Sequence, residues 1–242
     1  MFLSRLRAYL LIDPLIVIAT VVLGSASLLA SAFDKRGRTQ HAIARLWARI
    51  LLAVSGARIR IEGVEKLDTD AAYVLVANHS SYMDTPAVLL IPLQIRFFAK
   101  GGLFRIPLLG GHLRRAGHLP VVRDNPRASL KSLTEGARLV RERGVSVLLF
   151  PEGGRSPDGL REFKEGAAYL AIKAGVPVVP IGIMGMRRVM PMGSLHVRPH
   201  AVTMRIGDPI PTAGIKLDAR GELNQTLRRK VAELIGEAGI GD

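Results

Sequence analysis

Two short segments, far apart in the chain, contain side chains that could do acid–base chemistry and bind an anion. The segment 78–84 reads Asn-His-Ser-Ser-Tyr-Met-Asp and places His79 five positions before Asp84. The segment 150–156 reads Phe-Pro-Glu-Gly-Gly-Arg-Ser and places Arg155 on a glycine-rich turn. A histidine oriented by a carboxylate can act as a general base, and a guanidinium can grip two phosphate oxygens. Together they supply most of what a reaction that acylates a hydroxyl group requires.

The spacing of His79 and Asp84 limits how the two side chains can meet. On one continuous α-helix they would point about 140° apart. The run 73–77 predicts a buried strand, and Thr85-Pro86 predicts the N-cap and first position of a helix at 86–90. A turn between strand and helix would let the carboxylate fix the imidazole tautomer and leave the other ring nitrogen free. A buried structural histidine, with Asp84 as a helix cap, is the alternative.

A serine nucleophile is the competing mechanism, with Ser80 and Ser81 as candidates. The chain has no G-x-S-x-G elbow, which favours direct transfer without an acyl-enzyme. His41 falls on a predicted amphipathic helix. We expect the remaining histidines to be structural or to lie on the surface, because none has a nearby carboxylate in sequence: His112, His118, His196 and His200.

Composition excludes several classes of protein. The chain has 242 residues, 48% of them hydrophobic, a net charge of +14 and no cysteine. A basic, apolar protein suits an anionic membrane or anionic substrates; nucleic acid is disfavoured because aromatics are scarce and no nucleic-acid-binding motif occurs. Without cysteine there are no disulfides, thiolate metal sites or cysteine nucleophiles. H-E-x-x-H, P-loop and G-x-G-x-x-G patterns are absent, so we expect no metal and no bound cofactor.

The first part of the chain predicts a membrane-binding helical pair. Residues 15–33 carry no charge over nineteen positions, close to the ~20 that span a hydrocarbon core. A cleaved signal peptide is the alternative, since Ala30-Ser31-Ala32 resembles a cleavage site. More positive residues follow the stretch than precede it, which favours a cytoplasmic position for the rest of the chain: Arg5 and Arg7 precede, and Lys35, Arg36, Arg38, Arg45 and Arg49 follow.

A second helix is predicted at 40–55. Its apolar residues recur at helical spacing on one stripe: Ile43, Leu46, Trp47, Ile50, Leu51 and Val54. His41, Arg45 and Arg49 fall on the other side. Such a basic amphipathic helix can lie in a lipid interface or pack as a core helix on the following domain, and the sequence leaves both open.

From residue 57 onward the pattern alternates between strands and helices. We predict strands at 58–64, 73–77, 96–99, 118–122, 146–150, 178–184 and 201–206, and helices at 86–90, 127–143, 165–174 and 217–236. Apolar strands separated by helices indicate an α/β fold with a mixed, mostly parallel sheet of about seven strands, covered by helices on both faces. We therefore divide the chain into a membrane-anchoring helical hairpin, 1–56, and a catalytic domain, 57–242.

Four blocks in this order resemble the glycerolipid acyltransferase superfamily, specifically the 1-acylglycerol-3-phosphate acyltransferases. They are Asn-His-x4-Asp at 78–84, the run 100–110 (Lys-Gly-Gly-Leu-Phe-Arg-Ile-Pro-Leu-Leu-Gly), Phe-Pro-Glu-Gly at 150–153, and Val-Pro-Val-Val-Pro-Ile at 176–181. The chain departs from the family at Gly154, where a threonine is usual, so a hydroxyl beside the anion-binding arginine is missing.

The resemblance implies transfer of a fatty acyl group to the sn-2 hydroxyl of lysophosphatidic acid at the inner membrane. Acyl-CoA or acyl-carrier protein would be the co-substrate, and anionic membrane lipids would surround the enzyme. His79 would be the base and Asp84 its orienting partner. Candidate substrate-binding residues are Lys100, Arg105, Arg123, Glu152, Gly153, Gly154 and Arg155; Glu152 would repel a phosphate, so we expect it to hold Arg155 or the loop, or to contact glycerol. Two alternatives remain: an acyltransferase for another lysolipid, such as a lyso-ornithine lipid, or a non-catalytic lipid-binding protein.

Overall fold

Seven strands form one sheet in the computed structural model, which describes residues 10, 12–34, 36–121, 125–156, 159–194 and 196–237. They are β1 (Ala57–Glu62), β2 (Val74–Ala77), β3 (Ile95–Lys100), β4 (Leu119–Val121), β5 (Ser146–Leu149), β6 (Val178–Met184) and β7 (His200–Ile206). The order is β1-β7-β6-β2-β5-β3-β4. Strands β6, β2, β5, β3 and β4 are parallel, and β7 and β1 run the other way. The predicted fold class, a mixed and mostly parallel sheet of about seven strands, is confirmed.

Helices cover both faces of this sheet. They are α1 (Asp13–Ala30), α2 (Arg38–Val54), α3 (Asp84–Val88), α4 (Leu109–Arg115), α5 (Pro126–Arg143), α6 (Gly166–Ala174), α7 (Met186–Val189) and α8 (Arg220–Ile235). Side chains of β2 alternate between two cores: Val74 and Val76 pack with α5, α6 and α8, and Leu75 and Ala77 pack with α2, α3 and α7. Because both faces of β2 are buried, its sequence is continuously apolar.

Helix α1 is the predicted apolar segment, and one face of it is exposed. It is long and apolar enough to cross a membrane by length and composition, and only 6% of its residues are fully buried. A signal sequence would pass the same test. Its large exposed side chains include Leu15, Val17, Ile18, Val21, Val22 and Leu29. An apolar surface of this size indicates contact with a membrane or another partner.

Helix α2 packs on the sheet domain, as in the core-helix alternative. Ala48, Leu51 and Leu52 belong to the core. The predicted position of His41 on a polar helix face is wrong, because its side chain is 3% exposed. Arg45 lies on the same side and donates hydrogen bonds to the carbonyl oxygens of Leu89, Ile91 and Leu93 at 2.9–3.1 Å.

Two helix starts also differ from prediction. Helix α3 begins at Asp84 with Met83 in the N-cap position, rather than after Thr85. The Asp84 side chain is therefore in the first turn and can fold back toward the preceding loop. The predicted helix at 217–236 begins as a short 3₁₀ turn, Leu217–Ala219, before α8.

Candidate active site

The two segments singled out from the sequence meet at the edge of the sheet where the parallel strands end. Residues 78–84 follow β2, and residues 150–156 follow the adjacent β5. Carboxyl ends of neighbouring parallel strands gather loops at one edge, where α/β folds bind ligands. The loops are joined directly, because the N–H of Ser156 donates to the carbonyl oxygen of His79 at 2.8 Å.

His79 and Asp84 form a hydrogen-bonded pair. Nδ1 of His79 lies 2.9 Å from Oδ2 of Asp84, with 17% of the histidine side chain exposed and none of the aspartate's. The same oxygen accepts hydrogen bonds from the N–H groups of Ser80 at 2.7 Å and Ser81 at 2.8 Å. A carboxylate can only accept, so Nδ1 carries the proton and Nε2 is the basic nitrogen.

The His79 ring is also fixed by an aromatic side chain from the second segment. It stacks on Phe150 with ring centroids 4.0 Å apart and planes 14° apart. Asn78 exchanges two hydrogen bonds with the backbone of Ile183 on β6, at 2.7 and 2.9 Å. These contacts limit the freedom of the imidazole before a substrate binds.

Glu152 holds the backbone of the loops. Its Oε1 accepts from the N–H of His79 at 2.7 Å, and its Oε2 accepts from the N–H of Arg161 at 3.1 Å. The residue is 7% exposed. Burial raises the pKa of the Glu152 carboxyl above its ordinary value, and the two N–H donors oppose the rise. The Glu152 carboxylate thus fixes the backbone of His79.

The two candidate serine nucleophiles differ in their surroundings. The Ser81 hydroxyl is fully buried and donates to the carbonyl oxygen of Met190 at 2.9 Å. It is therefore already committed to a structural bond. Ser80 is half-buried, and its N–H belongs to the set that binds Asp84.

His79 opens onto a cavity of about 1180 Å³ between the sheet edge and the helical pair. Its apolar wall combines α1 and α2 residues with residues of the sheet domain, among them Ile16, Val17, Leu23, Ile43, Trp47, Leu103 and Leu109. His112 and His118 also line it. The helical pair is thus part of the cavity wall, so the predicted division at residue 56 does not separate it from the site.

Three cations line this cavity. Lys100 ends β3, Arg155 follows Gly153 and Gly154, and Lys164 lies beside Gly153. The guanidinium of Arg155 lies 3.5 Å from the ring centroid of Tyr82. Sequence reasoning gave no role to Tyr82, Phe150 or Lys164, although the first two occur within the quoted motifs.

The other predicted cations are Arg105 and Arg123. Arg105 is exposed at the end of a 3₁₀ turn and does not line the cavity. Arg123 lies outside the described residues. No group of three or more side chains suited to bind a metal occurs within the described residues.

Known proteins resemble this chain in sequence over most of its length. The family model described as Acyltransferase matches residues 58–184. The chain is 36% identical over 225 residues to a chloroplastic 1-acyl-sn-glycerol-3-phosphate acyltransferase of Brassica napus, and 37% identical over 238 residues to one of Arabidopsis thaliana. These alignments cover 92% and 95% of this chain but only 63% and 65% of the relatives' lengths.

A solved structure is similar over the whole chain. It is the crystal structure of a 1-acyl-sn-glycerophosphate acyltransferase from Thermotoga maritima, with a TM-score of 0.81 and 26% sequence identity. The match covers 99% of both chains. It therefore includes the helical pair, which the matched region of the family model leaves out.

Proposed function

This chain belongs to the acyltransferase family, and we propose that it transfers a fatty acyl group from a thioester donor to the sn-2 hydroxyl of 1-acylglycerol 3-phosphate. The product would be phosphatidic acid. The family assignment and the names of the relatives support this acceptor. The observation that carries the proposal is the His79–Asp84 pair at the wall of an apolar cavity.

In the proposed reaction, His79 is the general base. Nε2 takes the proton of the acceptor hydroxyl as its oxygen attacks the thioester carbonyl carbon. Asp84 stabilises the imidazolium that forms. When the tetrahedral intermediate collapses, the C–S bond breaks and the departing sulfur receives the proton from Nε2. His79 returns to its starting form, and no metal or bound cofactor is required.

The acceptor phosphate is assigned to Arg155 and Lys100. Arg155 can grip two phosphate oxygens, and stacking on Tyr82 leaves the guanidinium edge free to do so. Lys100 approaches from the end of β3 as a point charge. Lys164 lines the same cavity and adds a third positive charge. Glu152 faces the loop backbone, which keeps its negative charge directed away from this cluster.

The apolar cavity suits fatty chains, and the exposed apolar surface of α1 suits a membrane. We propose that the helical pair holds the enzyme on the inner membrane, with the sheet domain on the cytoplasmic side. Lipid acceptors could then reach His79 without crossing water. A carbonate wash should leave the protein on membranes; quantitative release would contradict this position.

The decisive experiment offers the purified full chain a panel of lysolipids with acyl-CoA or acyl-carrier protein as donor. Mass spectrometry of the products should show phosphatidic acid as the main lipid formed. Binding of lysophosphatidic acid without turnover on either donor would instead indicate a lipid-binding protein.

A second acceptor class is favoured by one observation. A side chain added at Gly154 would meet no heavy atom within 4 Å, so there is open space where the family usually has threonine. A larger or phosphate-free head group, as in a lyso-ornithine lipid, could occupy it. If such a lysolipid is the best substrate in the panel, this alternative replaces the leading proposal.

A further inference from the structure

A second cavity, of about 760 Å³, lies beside the active site and is lined by basic side chains. Its residues come from the segment around α7 and from the start of β7: Gly185, Arg187, Arg188, Pro191, Arg198, Pro199 and His200. Small-molecule sites typically have volumes of about 300–1,000 Å³. This cavity is within that range.

The basic cavity carries three arginines. Arg187, Arg188 and Arg198 are exposed, and none of the three forms an ion pair with any described residue. Other arginines are paired, as Arg60 on β1 and Arg205 on β7 are with Glu62. Three guanidinium groups around one concavity form a site for an anion with several charged oxygens.

The backbone segments that carry the arginines are closely packed. Gly185 has a φ of +86°, and a side chain there would come within 2.4 Å of the carbonyl oxygen of Ala201. The N–H of Arg198 donates to the carbonyl oxygen of Val189 at 2.8 Å. This bond joins the two segments that carry the arginines.

The linings of the two cavities include residues that are consecutive in the chain. Met190 lines the active-site cavity, and the next residue, Pro191, lines the basic one. Likewise, Val197 lines the active-site cavity and Arg198 lines the basic one. Met190 is also tied to the catalytic loop, since its carbonyl oxygen accepts from the hydroxyl of Ser81. The two cavities are therefore adjacent at these residues.

We infer that the basic cavity binds the phosphate groups at the nucleotide end of coenzyme A, while the thioester end reaches His79. This inference rests on the proposed function, because it assigns the donor of that reaction. A thioester donor carries its acyl group and its phosphates at opposite ends, which matches an apolar cavity and a basic cavity side by side. An acidic carrier protein fits less well, since two prolines are the apolar contacts that the described residues offer in the basic cavity, and protein interfaces depend on large buried anchors.

The kinetic test compares donors with and without the nucleotide. In the Arg187→Ser/Arg198→Ser variant, the KM for palmitoyl-CoA should rise by about tenfold or more, the effect expected for lost charge-assisted bonds. The KM for S-palmitoyl-pantetheine, which has no phosphate, should not change, and neither should the KM for lysophosphatidic acid. The matched control is Arg141→Ser/Lys173→Ser, which removes two exposed cations from α5 and α6 on the other side of the sheet and should leave all three values unchanged.

A binding test separates this inference from the proposed function. Adenosine 3′,5′-bisphosphate should bind the wild-type full chain in calorimetry, and the double arginine variant should lose that binding, whatever reaction the enzyme catalyses. Binding that is equal in both proteins, or absent from the wild type, overturns the inference. A KM that rises equally for palmitoyl-CoA and S-palmitoyl-pantetheine also overturns it. So does a rise in KM that is found only when palmitoyl-acyl-carrier protein is the donor, or a variant whose only defect is weaker binding to anionic vesicles.

Discussion

Histidines lie in two regions of one cavity wall, and their partners differ. At the sheet edge, His79 is bonded to the carboxylate of Asp84. Below the helical pair, Nδ1 of His112 lies 2.6 Å from the hydroxyl of Ser27, and Nδ1 of His118 accepts the N–H of Phe97 at 2.9 Å. At the sheet edge, the His79 ring lies beside a negative charge. Below the helical pair, the His112 and His118 rings have neutral hydrogen-bond partners and lie near the positive charge of Arg96.

This difference decides which histidine can accept a proton during turnover. Burial, and then the charges of Arg96 and Arg45, lowers the pKa of His41 to about 3. Burial and Arg96 lower the pKa of His112 to about 4, and burial holds the pKa of His118 well below its ordinary value. These three rings stay neutral at physiological pH. Among these four histidines, His79 alone is bonded to a carboxylate. The proposed base is therefore distinguished by its surroundings and not by its residue type.

Replacing His79 by alanine should have the largest effect. We expect kcat to fall by about 10⁴-fold or more, because the imidazole that takes the proton of the acceptor hydroxyl is removed. Circular dichroism should remain that of the wild type. The control is His41→Asn, which alters a buried histidine outside the cavity and should retain kcat below its melting temperature. Near-normal turnover in His79→Ala would remove the histidine from the mechanism, and a trapped acyl-serine would favour Ser80.

Asp84→Asn should be the next most severe change. Oδ2 of Asp84 accepts from the N–H groups of Ser80 and Ser81 in addition to Nδ1 of His79. We therefore expect the asparagine oxygen to take the position of Oδ2 and the imidazole to keep its orientation. The loss is then the negative charge that stabilises the imidazolium, for which about 10³-fold in kcat is reasonable. The KM for the acceptor should hardly change. A variant with wild-type kcat would show that Asp84 acts only as a structural cap.

Arginines extend the comparison between the two regions. Arg155→Ala at the sheet edge should raise the acceptor KM by roughly ten- to a hundredfold, with little effect on the donor KM. Arg155→Lys should restore part of the loss, since lysine cannot grip two oxygens. If Arg155→Ala instead raised the donor KM alone, this cation would serve the donor and not the acceptor.

Arg96 is the matched arginine of the other region. It is 1% exposed and donates to the carbonyl oxygens of Ile95, Arg36 and Gly37. Arg96→Ala should therefore lower the melting temperature, because it leaves buried carbonyls without donors. It should not change either KM. A rise in the acceptor KM of Arg96→Ala, with the donor KM unchanged, would show that loss of these bonds moves the helical pair and alters the acceptor site.

The sequence predicted the sheet-edge region far better than the region below the helical pair. His79 and Asp84 are five positions apart, and the strand and helix signals around them indicate a turn. Ser27 and His112 are 85 positions apart, and no local pattern relates them. His41 was misplaced because helical periodicity gives the direction of a side chain but not which neighbour covers that face. Seven apolar strands determined the fold class, whereas the contacts of Lys164 and Tyr82 depend on tertiary packing.

The buried histidines should make stability depend on pH, which is the smallest effect expected. Their folded-state pKa values lie below the ordinary 6.5, so the unfolded chain binds more protons between pH 6.5 and about 4. The free energy of unfolding is thus fully present above pH 6.5 and falls as the pH drops through this window. For His112 alone, the loss between pH 7.5 and pH 5 is about 2 kcal/mol.

His112→Gln tests this directly, because glutamine can still bond Ser27 but does not titrate. Denaturant unfolding in detergent should show a smaller difference in unfolding free energy between pH 7.5 and pH 5 than in the wild type, even if the variant is less stable at both. NMR titration of labelled histidines should show His112 neutral at pH 5. An unchanged pH slope in His112→Gln, or a protonated His112 at pH 5, would contradict the contrast between the two regions, since the ring would then be charged despite the arginines beside it.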